Sequence, residues 1–125
     1  IGDGLEQIAQ QSNRIEQFAA DLSKTTARSR SGHSYAGNKQ LHEAMQSDPG
    51  LRRRMEETFG EDVFARTSTS GGGRRNPAGA EWHNDAGNPM AVQLMRRVDH
   101  RNRDIFRELH PNGTGGYDRF WDTDG

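Results

Sequence analysis

His83, His100 and His110 stand close together in the later part of this 125-residue chain, three of its five histidines. A neutral imidazole suits Zn²⁺ and other transition metals, and a carboxylate can complete the shell. Asp104 follows His100 by four positions, which on a helix puts both on one side. Arginines gather on the same stretch: Arg74, Arg75, Arg96, Arg97, Arg101, Arg103 and Arg107. Their planar forks of donors match phosphate oxygens. Asp99, Asp104 and Glu108 interleave with them, so composition alone favours a solvated helix face laced with ion pairs. These histidines lack a fixed short motif such as HExxH, and spacing alone leaves metal binding and scattered surface histidines equally open. His33 and His42 have no ligand-type neighbours in sequence and read as packing or surface residues.

The elements that must position these groups follow from periodicity. Leu5, Ile8, Ile15, Phe18 and Leu22 fall on one stripe, which predicts an amphipathic helix from Leu5 to about Lys24. The Ser-, Thr- and Arg-rich stretch from Thr25 to Ser34 reads as a linker. Helical pattern resumes at Asn38 with Leu41, Ala44 and Met45, and Ser47-Asp48-Pro49 then starts a second helix carrying Leu51, Met55 and Phe59. Gly60 ends it, Val63-Phe64 add an apolar pair, and Thr67 to Gly73 read as a Ser/Gly loop. Glu81 to Asn84 form a short strand and Asp85 to Pro89 a turn. Val92 to Met95 alternate as a half-buried strand would. Val98 to Leu109 read as a helix with Val98, Ile105, Phe106 and Leu109 inward. Pro111 stops it, before a Gly-rich loop and an aromatic tail.

Bulk composition bounds the rest. With 30% hydrophobic residues and 15 glycines, the core is small and gains from a metal or partner. The net charge of −1 supplies no global attraction to nucleic acid, so any such contact is a local basic patch. The lack of Cys removes disulfides, thiol nucleophiles and thiolate zinc sites. No apolar run approaches the roughly 18 residues of a membrane span. The chain begins at Ile1 rather than Met, which reads as a piece of a longer protein. Residues 1–35 are expected to be an N-terminal helix and linker, and residues 36–125 the functional domain.

The order of residues adds a resemblance. Glu81-Trp82-His83-Asn84-Asp85, Val92-Gln93-Leu94-Met95-Arg96, Asp99-His100, Leu109-His110-Pro111 and Gly115-Gly116-Tyr117 follow one another as do the signatures of WHH-type toxin nucleases. Asn38-Lys39-Gln40-Leu41-His42 and Ser47-Asp48-Pro49 also resemble the helical lead-in of such toxins, so the likeness covers about Ala36 to Trp121. It implies an α+β fold, a mostly helical N-terminal part followed by the ββα-metal core of the HNH/endonuclease VII superfamily, at about residues 74–121. It further implies a metal-dependent endonuclease that hydrolyses DNA phosphodiesters with little sequence preference.

By the same resemblance, which extends to the nuclease colicins, Arg75, Glu81, His83 and Asn84 are the catalytic set. His83, His100 and His110, with Asp104, would hold one divalent ion (Mg²⁺, Mn²⁺, Ni²⁺ or Zn²⁺), and Arg74, Arg97 and Arg101 would grip the nucleic acid. The implied setting is a secreted antibacterial effector, delivered by a larger protein N-terminal to this chain, acting in the target-cell cytoplasm and restrained by a cognate immunity protein. Two departures stand out. Position 84, a general-base His in the family, is Asn, which cannot take a proton near neutral pH. The family's loop-holding Asn falls on Ala91, with Asn88 nearby as a substitute. Asn84 leaves three readings: an inactivated variant, a slow natural enzyme, or an enzyme whose base is His110 or His83. An RNA-cleaving toxin, a non-catalytic metal- and protein-binding module, and a helical adaptor working through residues 1–66 are the competing functions.

Overall fold

The computed structural model describes residues 15–69, 73–102, 110 and 115–121. Among these, three antiparallel strands and five helices form an α+β arrangement, in agreement with the expected class. Strand β1 (Phe18–Asp21) and a 3-10 turn over Leu22–Lys24 occupy what periodicity assigned to the end of a helix. Phe18 and Ala20 pair with Leu94 and Val92 of a strand far along the chain, and that pairing overrides the local helical stripe. The earlier part of that expected helix lies outside the described residues.

Helix α1 (Arg30–Ser47) begins inside the stretch expected to be a linker. Ser29 caps it, accepting from the Gly32 amide at 3.0 Å. Composition obscured this start because the apolar stripe of Leu41 and Met45 lies further on, while the first turns bury His33, Ala36 and Gly37. Asp48 accepts from the Leu51 amide at 3.1 Å and, with Pro49 in the first turn, starts helix α2 (Pro49–Phe59) as expected. Gly60 ends α2 at a φ of 109°, a conformation that disfavours any residue with a Cβ. Helix α3 (Val63–Thr67) follows. Thr67, expected to open the Ser/Gly loop, is instead fully buried at the end of α3, donating to the Val63 carbonyl and meeting His42 Nδ1.

Strands β2 (Ala80–Asn84) and β3 (Ala91–Arg96) form the expected hairpin, closed by Asp85 and Asn88 side chains that accept backbone amides two residues on. The sheet order is β1-β3-β2. Being central, β3 is covered on both faces: Val92, Gln93, Leu94 and Met95 are all buried, where sequence alternation implied one wet face. One face carries Leu94 and Ala80 onto α1, α2 and α3, with Leu41, Met45, Leu51, Met55, Phe59 and Val63. Helix α4 (Arg97–His100) leaves β3 directly, and α5 (Gly116–Phe120) lies against β2. Val98, expected inward, is 71% exposed, because α4 is a single turn whose tertiary contacts come through Arg97 and His100. Ile105, Phe106 and Leu109 lie outside the described residues.

Trp82 joins the helical layer to the hairpin. Its indole N–H donates to Asn38 Oδ1 at 2.9 Å, and Asn38 Nδ2 donates to Asn76 Oδ1 at 2.9 Å. Its ring lies on Gly37, where a Cβ would come within 2.8 Å of the indole. The hydrogen bond and the edge contact with Phe18 hold the ring in place. Gly37→Ala therefore overpacks, at about 1–3 kcal/mol, against a helix-propensity gain of at most about 1 kcal/mol. The expected result in urea melts is a net loss of about 1–2 kcal/mol. A neutral or stabilising substitution would contradict this packing.

Candidate metal centre

In β2 successive side chains point to opposite faces. Trp82 and Asn84 face α1, while Glu81 and His83 face the other way, toward α4. The immediate exit of α4 from β3 brings His100 over β2. Its Nδ1 lies 2.7 Å from Glu81 Oε2 and its Nε2 lies 3.2 Å from His83 Nδ1. His110 closes the group: ring centres are 5.0 Å apart for His83 and His100, 5.1 Å for His83 and His110, and 5.4 Å for His100 and His110. One ligand atom from each of the three lies within 4.8 Å of the others, so the trio could hold a metal ion.

The proton positions support that fit. An ionised carboxylate only accepts, so Nδ1 of His100 carries a hydrogen, and in the neutral ring Nε2 presents a lone pair toward His83. This carboxylate–histidine arrangement orients an imidazole for a metal. His83 is buried, and its Nε2 has no hydrogen-bond partner among the described residues. If its single proton sits on Nδ1, a buried lone pair is left unmatched at Nε2. If it sits on Nε2, two lone pairs face each other across 3.2 Å. A cation between the rings, whether a metal ion or a second proton on His100, relieves the second case. An all-imidazole set suits ions such as Zn²⁺ or Ni²⁺ better than Mg²⁺.

Electrostatics point the same way. Burial, followed by the neighbouring His100 and His110, pushes the His83 imidazole down to about 3, so it is neutral and ready to ligate at any physiological pH. Burial works to raise Glu81, but the hydrogen bonds from His100 and Arg101 outweigh it and hold the carboxyl below its usual range. Arg101 Nη2 reaches Glu81 Oε1 at 2.5 Å and Arg97 Nε reaches the same oxygen at 3.4 Å.

The structure thus brings together His83, His100, His110 and Glu81, and places Asn84 on the wall of the same cleft. It does not pair Arg75 with Glu81. Among the described residues Glu81 is bound by His100, Arg97 and Arg101, while the Arg75 amide donates to the Arg66 carbonyl. Arg97 and Arg101 therefore act first on Glu81. Arg74 donates to the Thr67 carbonyl at 2.7 Å and lines a separate groove with His42 and Phe64. Asp104 lies outside the described residues. His42 packs as expected, stacked on Phe64 with ring centres 4.1 Å apart.

Three contributors were missed by sequence reasoning. His33, buried in α1, meets the Ala27 carbonyl through Nε2 at 3.0 Å and Asn84 Nδ2 through Nδ1 at 3.0 Å. The carbonyl only accepts, so Nε2 is protonated, Nδ1 accepts from the Asn84 amide, and the Asn84 oxygen is turned away from His33. Gln93, opposite His83 in the sheet register, is buried with an Oε1 unmatched among the described residues, while its Nε2 donates to Glu16 at 2.9 Å. Arg30 lines the cleft from α1. Only the position of Gln93 between two buried strand residues offered a sequence signal; the others depend on contacts between distant segments.

The lowered His83 group fixes a pH dependence. Its folded value lies below the unfolded one near 6.5, so the unfolded chain takes up the proton first. The stability it contributes is complete above 6.5 and is lost as pH falls toward 3. At pH 5.5 the loss is about 1.4 kcal/mol, roughly 5 °C in Tm for a domain of this size. Burial also lowers His33 and His42, which act in the same direction. Calorimetry in EDTA should therefore show a lower Tm at pH 5.5 than at 7.5, with the difference reduced in His83→Ala. A Tm that stays level or rises on acidification would contradict it. Comparison of the chain with family models, curated proteins and solved structures returns no match, so its function is read from its own residues.

Proposed function

We propose that the chain is a metal-dependent nuclease of the HNH/endonuclease VII kind that hydrolyses phosphodiesters of DNA with little sequence preference. The observation that carries this reading is the three-imidazole group, with His83 on the strand and His100 on the helix of a strand–strand–helix unit, His110 closing it from further along the chain and Glu81 held by His100 Nδ1. The hairpin β2–β3 followed by α4 has the element order of a ββα-metal core. The cleft encloses about 100 Å³ beside the imidazoles. That is small against the roughly 300–1,000 Å³ of organic-ligand sites and suits an ion with one phosphate group at a time.

His83, His100 and His110 would hold the divalent ion, which when bound would supply polarisation of the scissile phosphate and stabilisation of charge on the leaving oxygen. Glu81 keeps the His100 lone pair directed inward and is itself held by Arg97 and Arg101. The exposed remainder of those two guanidiniums reaches flanking phosphates, which carry no sequence information. Asn84, oriented by His33, accepts a hydrogen bond from the attacking water but removes no proton. His83 is too weak a base at about 3 to serve in its place. The enzyme therefore works slowly as it stands. Phosphate contacts are common to DNA and RNA, and DNA is preferred only on the resemblance.

A free nuclease endangers its producer, so the reading carries with it an immunity protein that covers the cleft, a larger delivery protein, and action in the cytoplasm of a competing bacterium. A second reading, a metal- and protein-binding module without turnover, is favoured by the engagement of the Asn84 amide with His33.

Supercoiled plasmid and tRNA should be incubated with Zn²⁺, Ni²⁺, Mn²⁺ or Mg²⁺ and with EDTA. The expected result is slow nicking abolished by EDTA, reduced at least about a hundredfold in His100→Ala and raised about tenfold or more in Asn84→His. Cleavage of tRNA alone would move the substrate to RNA. Metal binding without cleavage by either form would leave the non-catalytic module, and cutting that persists in EDTA would end the metal-dependent reading.

A further inference from the structure

The cleft beside the three histidines has a second wall formed by α1 and α5, and that wall supplies a cation. Arg30 projects from the first turn of α1, and its Nη2 donates to Asp118 Oδ1 of α5 at 2.7 Å. The same guanidinium lies over the Tyr117 ring, 4.4 Å from its centre, while the Tyr117 hydroxyl donates to the Arg28 carbonyl at 3.1 Å. Arg30, Asp118 and Tyr117 all border the cleft together with His83, His100 and His110. Arg97 and Arg101, by contrast, are turned onto Glu81.

An ion pair this accessible, with the two side chains 65% and 46% exposed, contributes little to stability and exchanges readily with other anions. A phosphodiester offers two oxygens in the geometry that a guanidinium fork takes from a carboxylate. Tyr117 supports the guanidinium from one side, so the fork is held in the cleft whichever anion it binds. Asp118 also places a negative charge where a polynucleotide backbone would pass.

We propose that Arg30 is a phosphate-binding residue of this cleft and that Asp118 occupies its fork until a nucleic-acid phosphate displaces it. The inference rests on the nuclease reading and specifies how that site takes its substrate. It makes Asp118 a built-in competitor: loss of Arg30 weakens nucleic-acid binding, and loss of the Asp118 charge strengthens it. A merely structural ion pair would give the two substitutions the same sign, since either breaks the same contact.

The test is fluorescence anisotropy of a labelled DNA duplex, and of labelled tRNA, in EDTA so that nothing is cut. Wild type, Arg30→Ala, Arg30→Lys and Asp118→Asn are compared at several salt concentrations. Expected are a Kd roughly fivefold to twentyfold weaker for Arg30→Ala with a salt slope smaller by about one. Arg30→Lys should fall between it and wild type, because charge remains but the fork is lost. Asp118→Asn should bind at least about threefold tighter. If Arg30→Ala melts far below wild type, the direction of the Asp118→Asn shift decides alone. Wild-type binding with Asp118→Asn unchanged or weakened overturns this inference and leaves the nuclease reading standing. A wild-type protein that binds neither nucleic acid overturns both.

Discussion

The hydrogen bond between Glu81 and His100 is the interaction on which the site depends. One carboxylate fixes which nitrogen of His100 is protonated, ties the one-turn helix α4 to strand β2, and gathers Arg97 and Arg101. Without it the His100 ring has no fixed direction, and the short helix, whose Val98 faces solvent, is held mainly at its start by the Arg97 amide on the Gly79 carbonyl. The cost of half-burying Glu81 is offset by the cations around it, and this keeps the carboxylate ionised. The network is useful because every charged member has a partner, leaving the unmatched capacity on His83.

Behind that network, the fold supplies rigidity with few apolar residues. Strand β3 is buried on both faces and pairs with both neighbours, and it holds in register the edge strand β2 that carries Glu81 and His83. On the far face, Trp82 couples the same strand to α1 through Gly37 and Asn38. Neighbouring residues of β2 thus serve different purposes: Glu81 and His83 belong to the candidate metal group, and Trp82 anchors it. His33 extends this anchoring to Asn84 and is itself enclosed by Trp121 and Tyr117 from the end of the chain.

Much of this was legible where the signal is local. The hairpin followed from apolar runs separated by turn residues, and the start of α2 from Asp48-Pro49, because capping and strand alternation act within a few positions. The histidine trio was nominated by residue type and order, and the structure brings it together. What failed was non-local. The stripe through Phe18 and Leu22 is compatible with a helix, yet pairing with β3 makes it a strand and turn. The first turns of α1 looked like a linker because their stability comes from Ser29 capping and burial of His33 rather than from an apolar stripe. Which cations reach Glu81 was not legible either, because neighbouring places in a motif do not fix it; α4 brings Arg97 and Arg101 onto that carboxylate. Arg30 and Asp118, 88 residues apart, carry no pairwise signal in a single sequence.

The central claim, that His83, His100 and His110 form one metal site, is tested most directly by calorimetric titration of the EDTA-stripped protein with Zn²⁺ at pH 7.5. One equivalent should bind, and a hundredfold excess over Kd should stabilise the fold by about 2.7 kcal/mol. His110→Ala, which leaves the Glu81–His100 network in place, should lose most of that affinity while retaining its fold by circular dichroism. Stoichiometric binding that is unaltered in His110→Ala and His83→Ala, or no binding to the intact protein, would contradict the account.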